Sequence, residues 1–142
     1  MLSKEKIRPR RSFIFTPGLK PEMFPKALAS GVDMVCIELE DGIAPKDKNV
    51  ARSRALEIFG KEKMPDDVEV ILRINSIRSS FGLDDLRAIL DTTNPPPAIM
   101  LPKVNDPQDV SIVDELLSER GHNCRLHPII ETNSGLEKVY DI

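Results

Sequence analysis

Tryptophan is absent from this 142-residue sequence, tyrosine occurs once, and cysteine and histidine occur twice each. Cys36 lies in an apolar run and Cys124 in a distant polar stretch, which excludes both a disulfide framework and a metal-binding cysteine spacing. We therefore predict two reduced thiols and a cytoplasmic location. No Ser-His-Asp or Cys-His-Asp arrangement stands out, and structural roles are predicted for His122 and His127.

Strong charge of one sign and long apolar runs are lacking too. The 23 acidic residues against 20 Lys and Arg give a net charge of −3, which excludes a basic field for nucleic acid. No run approaches the roughly 20 apolar residues of a membrane span, so we expect no membrane partner. Residues 1–10 lack the apolar core of a secretory signal and are predicted to form a solvated arm before one domain at 11–142.

What the sequence does contain is an alternation of short apolar runs and segments with helical spacing. The predicted strands are 12–16, 33–39, 68–74, 98–102 and 125–131, and the predicted helices are 21–29, 47–59, 83–90, 107–119 and 134–140. Pro21 and Asp106-Pro107 suit helix starts, whereas Gly60 and Gly121 suit helix ends. Apolar strands separated by helices are typical of an α/β protein with a parallel sheet.

Acidic residues gather where two of these strands end. Glu38, Glu40 and Asp41 follow the second strand, and Glu131 ends the fifth. The carboxyl ends of parallel strands converge on one rim, where α/β folds bind ligands. Clustered carboxylates repel one another and favour a hard divalent cation such as Mg²⁺. The alternative is a solvated loop in which Glu40 or Asp41 caps the next helix.

Two cationic residues end neighbouring strands. Arg73 closes the run VEVIL and, if buried, needs an anionic partner, for which its fork of donors suits a carboxylate or an enolate oxygen. The alternative is a structural ion pair with one of the rim acids. Lys103 has the same two possibilities, and also Schiff-base formation, which requires a depressed pKa.

Six segments follow one another along the chain: RRSFIFTPG, KALASGVDMVCIELEDGIAPKDK, ILRIN, FGLDDL, IMLPKV and PIIETNSGL. In this order and spacing they resemble the citrate lyase β-subunit-like group of the HpcH/HpaI aldolase superfamily. The resemblance implies a (β/α)8 TIM-barrel type of fold, of which this chain covers roughly the first five β-α units. It also implies a Mg²⁺-dependent carbon–carbon lyase that forms an enolate from a short 3-hydroxyacyl thioester, such as citryl-, malyl- or citramalyl-CoA or an acyl-carrier equivalent. A homo-oligomer, trimer or hexamer, is implied as well.

The resemblance also assigns roles to residues. Glu131 would be a direct metal ligand, and Arg73 would bind the oxo-acid portion of the substrate and stabilise the enolate oxygen. Glu40 and Asp41 would hold metal-bound waters or orient the site. Substrate contacts are further implied for Phe13, Pro17, Gly18 and Lys103.

The sequence departs from the family pattern in two ways. Glu38 stands where family members usually have Asp. The second metal ligand, an Asp, is expected beyond Ile142, and five β-α units cannot close an eight-stranded barrel of about 250 residues. We therefore expect a fragment of a longer enzyme, or a chain whose remaining part is not represented, inactive by itself. A short protein that self-associates is the alternative.

Two other functions stay open from the sequence. One is a non-catalytic half-barrel that binds a partner or assists assembly. The other is an aldolase of the same superfamily that acts on a free 2-oxo acid.

Overall fold

A computed structural model describes residues 9–142; most of the predicted N-terminal arm, residues 1–8, lies outside the described residues. Five strands alternate with helices. The strands are β1 (Phe13–Pro17), β2 (Met34–Glu38), β3 (Glu69–Arg73), β4 (Ala98–Leu101) and β5 (Arg125–Pro128). The helices are α1 (Phe24–Leu28), α2 (Lys48–Lys61), α3 (Ser80–Asp91), α4 (Pro107–Glu119) and α5 (Asn133–Glu137).

The strands form one parallel sheet in the order β1-β2-β3-β4-β5. Each strand therefore pairs with the next one along the chain, and each helix provides the crossover that a parallel pair requires. The predicted α/β class and the predicted β-α order are confirmed. Register places Pro17, Glu38 and Arg73 side by side on adjacent strands, so the carboxyl ends of β1, β2 and β3 lie at one level.

Helix ends agree with the sequence at one glycine and differ at the other. Gly121 follows α4 with φ of +71°, and His122 N donates to Leu117 O at 2.9 Å, which is the glycine-terminated helix end predicted there. The prediction that a helix stops at Gly60 is wrong. α2 runs through Gly60 to Lys61, because Glu62 N still donates to Ile58 O at 2.8 Å.

The fifth β-α unit is shorter than predicted. β5 ends at Pro128, not at Glu131, and only Ile129 N continues the pairing, by donating to Leu101 O at 2.8 Å. Proline has no N–H to donate, which weakens the strand at this point. α5 ends at Glu137, three residues before the predicted end.

The two faces of the sheet differ in size and composition. On one face, strand residues such as Val35, Ile37 and Leu72 are fully buried against the helices, which contribute Phe24, Ala51, Ala55, Ile89, Val113 and Leu117 among others. On the other face, Cys36, Ile71 and Ala98 form a small buried cluster with Met34 and Met100. Burial raises the pKa of the Cys36 thiol to about 12, so this thiol stays protonated at neutral pH.

Ion pairs join the segment before β1 to the amino ends of β2 and β3. Arg10 Nε lies 2.5 Å from Glu69 Oε2, and His127 Nε2 lies 3.1 Å from Glu69 Oε1. Because Glu69 begins β3, His127 contacts the amino-terminal edge of the sheet, opposite the edge that carries Glu38 and Glu40. Arg11 donates to Asp33 through its backbone N–H at 2.8 Å and through its guanidinium at 3.0 and 3.1 Å. The chain entering the sheet is thus held at two points.

Asp33 is expected to make stability depend on pH in the acid range. The side-chain hydrogen bond from Arg11, followed by the Arg11 backbone bond, lowers the pKa of Asp33 to about 2. Because the folded pKa is lower than that of the unfolded chain, about 3.9, the interaction stabilises the fold above that value and is lost as pH falls towards 2. Asp33→Asn should lower the melting temperature at pH 6, and the difference from wild type should shrink between pH 4 and 2.

Thermal melts at pH 6, 4, 3 and 2 measure this effect, with the exposed residue Asp67 changed to Asn as the control. A constant difference across this range would contradict the assignment.

Within residues 9–142, the longest helix has 14 residues, and none has the length and apolar character to cross a membrane.

Candidate active site

Six charged side chains form what we call the rim cluster, at the carboxyl ends of the strands. Its members are Glu38, Glu40, Asp41, Arg73, Lys103 and Glu131. They come from the ends of β2, β3 and β4 and from the segment that follows β5. Parallel pairing brings these sequence-distant residues together, as the sequence predicted.

Arg73 lies at the centre of the rim cluster. Arg73 Nη2 pairs with Glu38 Oε2, and Arg73 Nη1 lies 3.4 Å from Glu40 Oε2. The Phe15 ring covers the guanidinium, with Cζ 4.8 Å from the ring centroid. Burial lowers the pKa of Arg73, but the hydrogen bond to Glu38 and the neighbouring carboxylates outweigh it and raise the pKa above its ordinary value. The structural ion pair with rim acids, which was the alternative interpretation of Arg73, is therefore present.

Glu40 and Asp41 do not cap the next helix. Glu40 is only 4% exposed, and its backbone N–H donates to Glu38 Oε1. Lys103 Nζ contacts the carboxylates of Glu40 and Asp41. α2 begins after Asp47, which makes no capping bond with its side chain. The solvated-loop alternative is therefore wrong for Glu40, whereas Asp41 is exposed.

Lys103 connects the two acidic ends of the rim cluster. Its φ of +53° lies in the left-handed region that non-glycine residues rarely adopt. In this conformation the Lys103 backbone N–H donates to Glu131 Oε1 at 2.9 Å, while its ammonium contacts Glu40 and Asp41. The Glu40 hydrogen bond, against a smaller effect of burial, raises the pKa of Lys103, which is opposite to what a Schiff-base lysine needs.

Glu131 is presented on a fixed segment between β5 and α5. The neighbouring Thr132 hydroxyl donates to Val104 O at 3.1 Å and accepts from Gly135 N at 3.0 Å, which caps α5. A Cβ at Gly135 would lie 2.2 Å from Val104 O, so only glycine allows this close packing. Glu131 itself is exposed, with one carboxylate oxygen bound to Lys103.

The composition of the rim cluster suits a divalent cation and an anionic ligand. Four carboxylates and two cationic side chains carry a formal charge of −2. Carboxylate oxygens are the ligands that Mg²⁺ prefers. Glu40 Oε2 and Arg73 Nε are buried and have no hydrogen-bond partner. Buried polar atoms of this kind normally have a partner, so these two atoms are free to bond a further group. Across residues 9–142, no three His, Cys, Asp or Glu side chains are grouped to hold a metal ion by themselves.

The residues of β1 and its C-terminal end that were predicted to contact substrate differ in how close they lie to the rim cluster. Pro17 lies level with Glu38 and Arg73, and Gly18 N donates to Glu38 O at 2.9 Å, so both reach the rim. Phe13 pairs with Met34, near the amino end of the sheet, and the structure does not bring it to the rim cluster. Phe15, which was not singled out, takes the place beside Arg73 and is 47% exposed.

A buried polar network below the rim was also missed. Lys48 Nζ donates to Leu39 O at 2.7 Å, to Glu40 O at 2.5 Å and to Asn75 Oδ1 at 2.6 Å. Asn75 in turn bonds Asp85. One sequence signal points to Lys48: it begins α2, where the helix dipole disfavours a cation.

The family model described as HpcH/HpaI aldolase/citrate lyase matches residues 11–142 of this chain. An L-malyl-CoA/β-methylmalyl-CoA lyase of Cereibacter sphaeroides is 34% identical over 95% of this chain and 44% of its own length. Human mitochondrial citramalyl-CoA lyase is 29% identical over 94% of this chain and 41% of its own length. The chain thus spans less than half the length of these curated relatives.

The chain is also similar to solved structures of citrate lyase β subunits. The citrate lyase β subunit of M. tuberculosis, complexed with oxaloacetate and magnesium, has a TM-score of 0.72 and 27% identity, covering 94% of this chain and 54% of that one. The expected TIM-barrel type of fold is thereby confirmed for the five β-α units described.

Proposed function

From the premise that this chain belongs to the HpcH/HpaI aldolase/citrate lyase family, we propose that it provides one half of a Mg²⁺-dependent carbon–carbon lyase site. The proposed substrate is a short 3-hydroxyacyl thioester of the malyl-, citramalyl- or citryl-CoA class. The observation that carries the proposal is the rim cluster, in which Arg73 Nε and Glu40 Oε2 are buried without a hydrogen-bond partner. The names of the relatives, all lyases, support the reaction type.

The arrangement suits the charge that such a cleavage creates. When the bond between C2 and C3 breaks, its electron pair moves into the thioester as an enolate, and C3 becomes a carbonyl as its hydroxyl proton passes to a base. Protonation of the enolate at C2 then gives the product thioester. Arg73, held by Glu38 and Phe15, is a fixed donor to the developing enolate oxygen or to the oxo acid. Because its carboxylate partners already orient the guanidinium, little reorganisation is needed during the reaction.

Glu131 would hold Mg²⁺ directly, and Glu40 and Asp41 would accept hydrogen bonds from its waters. The cation supplies Lewis-acid stabilisation of an anionic oxygen when bound. Lys103 fixes this acidic set, through its backbone N–H on Glu131 and its ammonium on Glu40 and Asp41. We therefore assign Lys103 to the support of the acidic residues and place its contact with substrate second.

Turnover tests the proposal directly. In a polypeptide that carries these residues within a complete barrel, we expect Mg²⁺-dependent cleavage of L-malyl-CoA or citramalyl-CoA, measured by loss of the substrate thioester. Cleavage of a free 4-hydroxy-2-oxo acid to pyruvate and an aldehyde, but of neither thioester, would favour the free 2-oxo acid aldolase. If no substrate of either class were cleaved, the non-catalytic half-barrel would be the better interpretation.

Glu131→Gln is expected to weaken the metal site by at least about tenfold, as the loss of groups that hold or orient a metal does. Mn²⁺ is a suitable probe in the 142-residue chain, because its paramagnetism broadens nearby amide signals even when binding is weak. Broadening should centre on Glu131, Lys103 and Glu40 and should need at least about ten times more Mn²⁺ in the variant.

The matched control is Glu137→Gln, which changes an exposed carboxylate at the end of α5. Equal broadening in wild type and Glu131→Gln would contradict the role of Glu131 as a ligand.

A further inference from the structure

The segment with Glu40 and Asp41 is held from within the protein by a buried cation. Lys48 is 7% exposed, although lysine is among the residues least often buried. All three of its ammonium donors are used: two on the successive backbone carbonyls of Leu39 and Glu40, and one on Asn75 Oδ1. None of these acceptors is a carboxylate, so Lys48 forms no hydrogen-bonded ion pair there.

The partner of Lys48 is itself fixed. Asn75 Nδ2 donates to Leu39 O at 3.0 Å and to Asp85 Oδ2 at 2.6 Å, and Asn75 N donates to the same Asp85 oxygen at 2.8 Å. Asp85 is 1% exposed, and its other oxygen accepts from Arg52 Nε at 2.7 Å. The network thus joins α2, α3 and the ends of β2 and β3 at one place.

A purely packing role does not explain this arrangement. Burial lowers the pKa of Lys48, because desolvation disfavours the charged form. A methionine would fill a similar volume without that desolvation cost, so packing alone does not account for a charged side chain here. A use for the charge is visible at Glu40: its carbonyl is bound by Lys48, while its carboxylate contacts Arg73 and Lys103.

We propose that Lys48 is a positioning residue for the rim cluster: by binding the carbonyls of Leu39 and Glu40, its ammonium sets where the carboxylates of Glu40 and Asp41 stand. This inference rests on the proposed function only for what those carboxylates then bind. Lys48 touches neither metal nor substrate. Its removal should loosen residues 39–43 while the sheet stays folded.

Lys48→Met tests the inference in the 142-residue chain by amide hydrogen exchange. The amide of Ile43, which bonds Glu40 O, and that of Glu40 should exchange about tenfold faster or more, as expected for the loss of charged hydrogen bonds. The amides of Val35 and Leu72 in the sheet should keep their protection. Lys46→Met, an exposed lysine two residues away, is the matched control and should change neither group. Unchanged exchange at Glu40 and Ile43 in Lys48→Met would overturn the proposal.

Lys48→Gln covers the case in which Lys48→Met does not fold. Glutamine keeps two N–H donors but no charge, so faster exchange at Glu40 and Ile43 is again expected, and wild-type exchange would overturn the proposal.

A second measurement separates positioning from a general structural role. In a complete barrel, the Mg²⁺ concentration for half-maximal turnover should rise about tenfold in Lys48→Met or Lys48→Gln, a range typical for groups that orient metal ligands. Loss of stability alone shifts that concentration only when a sizeable fraction of the chain is unfolded, so turnover is measured well below the melting temperature of each variant. Faster loop exchange with no such shift would overturn the positioning role. Absence of Mg²⁺-dependent turnover in wild type would contradict the proposed function instead, and loop exchange would then decide the inference alone.

Discussion

Under the proposed function, Arg73→Met should lower turnover in a complete barrel by about 10³-fold, because it removes the donors assigned to the developing enolate. Removing one such donor group typically costs about 10²–10³-fold in turnover. Arg73 is well placed for this effect, since Glu38 and the Phe15 ring fix the guanidinium before any substrate arrives. Thioester cleavage at saturating Mg²⁺ measures the loss.

The same substitution also leaves the buried Glu38 carboxylate without its cationic partner and leaves the buried Glu40 carboxylate with Lys103 alone. Breaking a buried ion pair by removing one partner destabilises a fold by about 3–5 kcal/mol. Melting temperature must therefore be measured beside turnover. Arg73→Lys keeps a positive charge but loses the fork that reaches both carboxylates, so it should fold and still lose about 10²-fold in turnover.

Arg87→Lys is the control for this series, because Arg87 is exposed on α3 and pairs with Asp91 one helical turn away. It should leave turnover and melting temperature unchanged. Wild-type turnover in Arg73→Lys would show that charge alone is sufficient and would contradict the proposed donor geometry.

The sequence was sufficient to place the rim cluster because parallel α/β folds bring the carboxyl ends of strands together. Glu38, Arg73, Lys103 and Glu131 could each be assigned to a strand end, and their convergence followed from that rule. Six motifs in order were sufficient for the family, which the match over residues 11–142 confirms. Strand identity was predictable because the apolar runs are short and bounded by turn residues.

Register and individual hydrogen bonds were not predictable in the same way. Phe13 and Phe15 share one face of β1, but only pairing with β2 shows that Phe15 lies level with Cys36 and near Arg73. The apolar run 125–131 resembles a strand throughout, yet Pro128 ends it. In each case the deciding contact involves a residue from another element.

Lys48 shows the same limit for function. Its partner Asn75 lies 27 residues away, and the two backbone carbonyls that it binds carry no sequence information. A lysine in a first helical turn usually has a solvated ammonium. Only the three-dimensional contacts turn it into a candidate for positioning Glu40 and Asp41.

The start of α3 packs so closely against the loop after β3 that one glycine is required there. A Cβ at Gly82 would lie 1.9 Å from Ser76 O, 2.4 Å from Ser76 C and 2.7 Å from Asn75 O. The loop cannot easily move away, since the Ser79 hydroxyl donates to Ser76 O at 2.7 Å and Asp85 holds Asn75. Gly82 therefore controls the position of Asn75, and through it the contact with Lys48.

Gly82→Ala is expected to destabilise the protein by about 3 kcal/mol or more, because the added methyl group must displace backbone atoms. For a chain of this length the melting temperature should fall by about 10 °C. Gly60→Ala is the matched control with the opposite sign: Gly60 lies within α2, and the nearest atom to its added Cβ is Asn94 Nδ2 at 3.7 Å. That change should raise stability by up to about 1 kcal/mol, because alanine favours the helix and restricts the unfolded chain. Equal melting temperatures for the two variants would show that the loop after β3 yields to α3, and that Asn75 is not held in place by this contact.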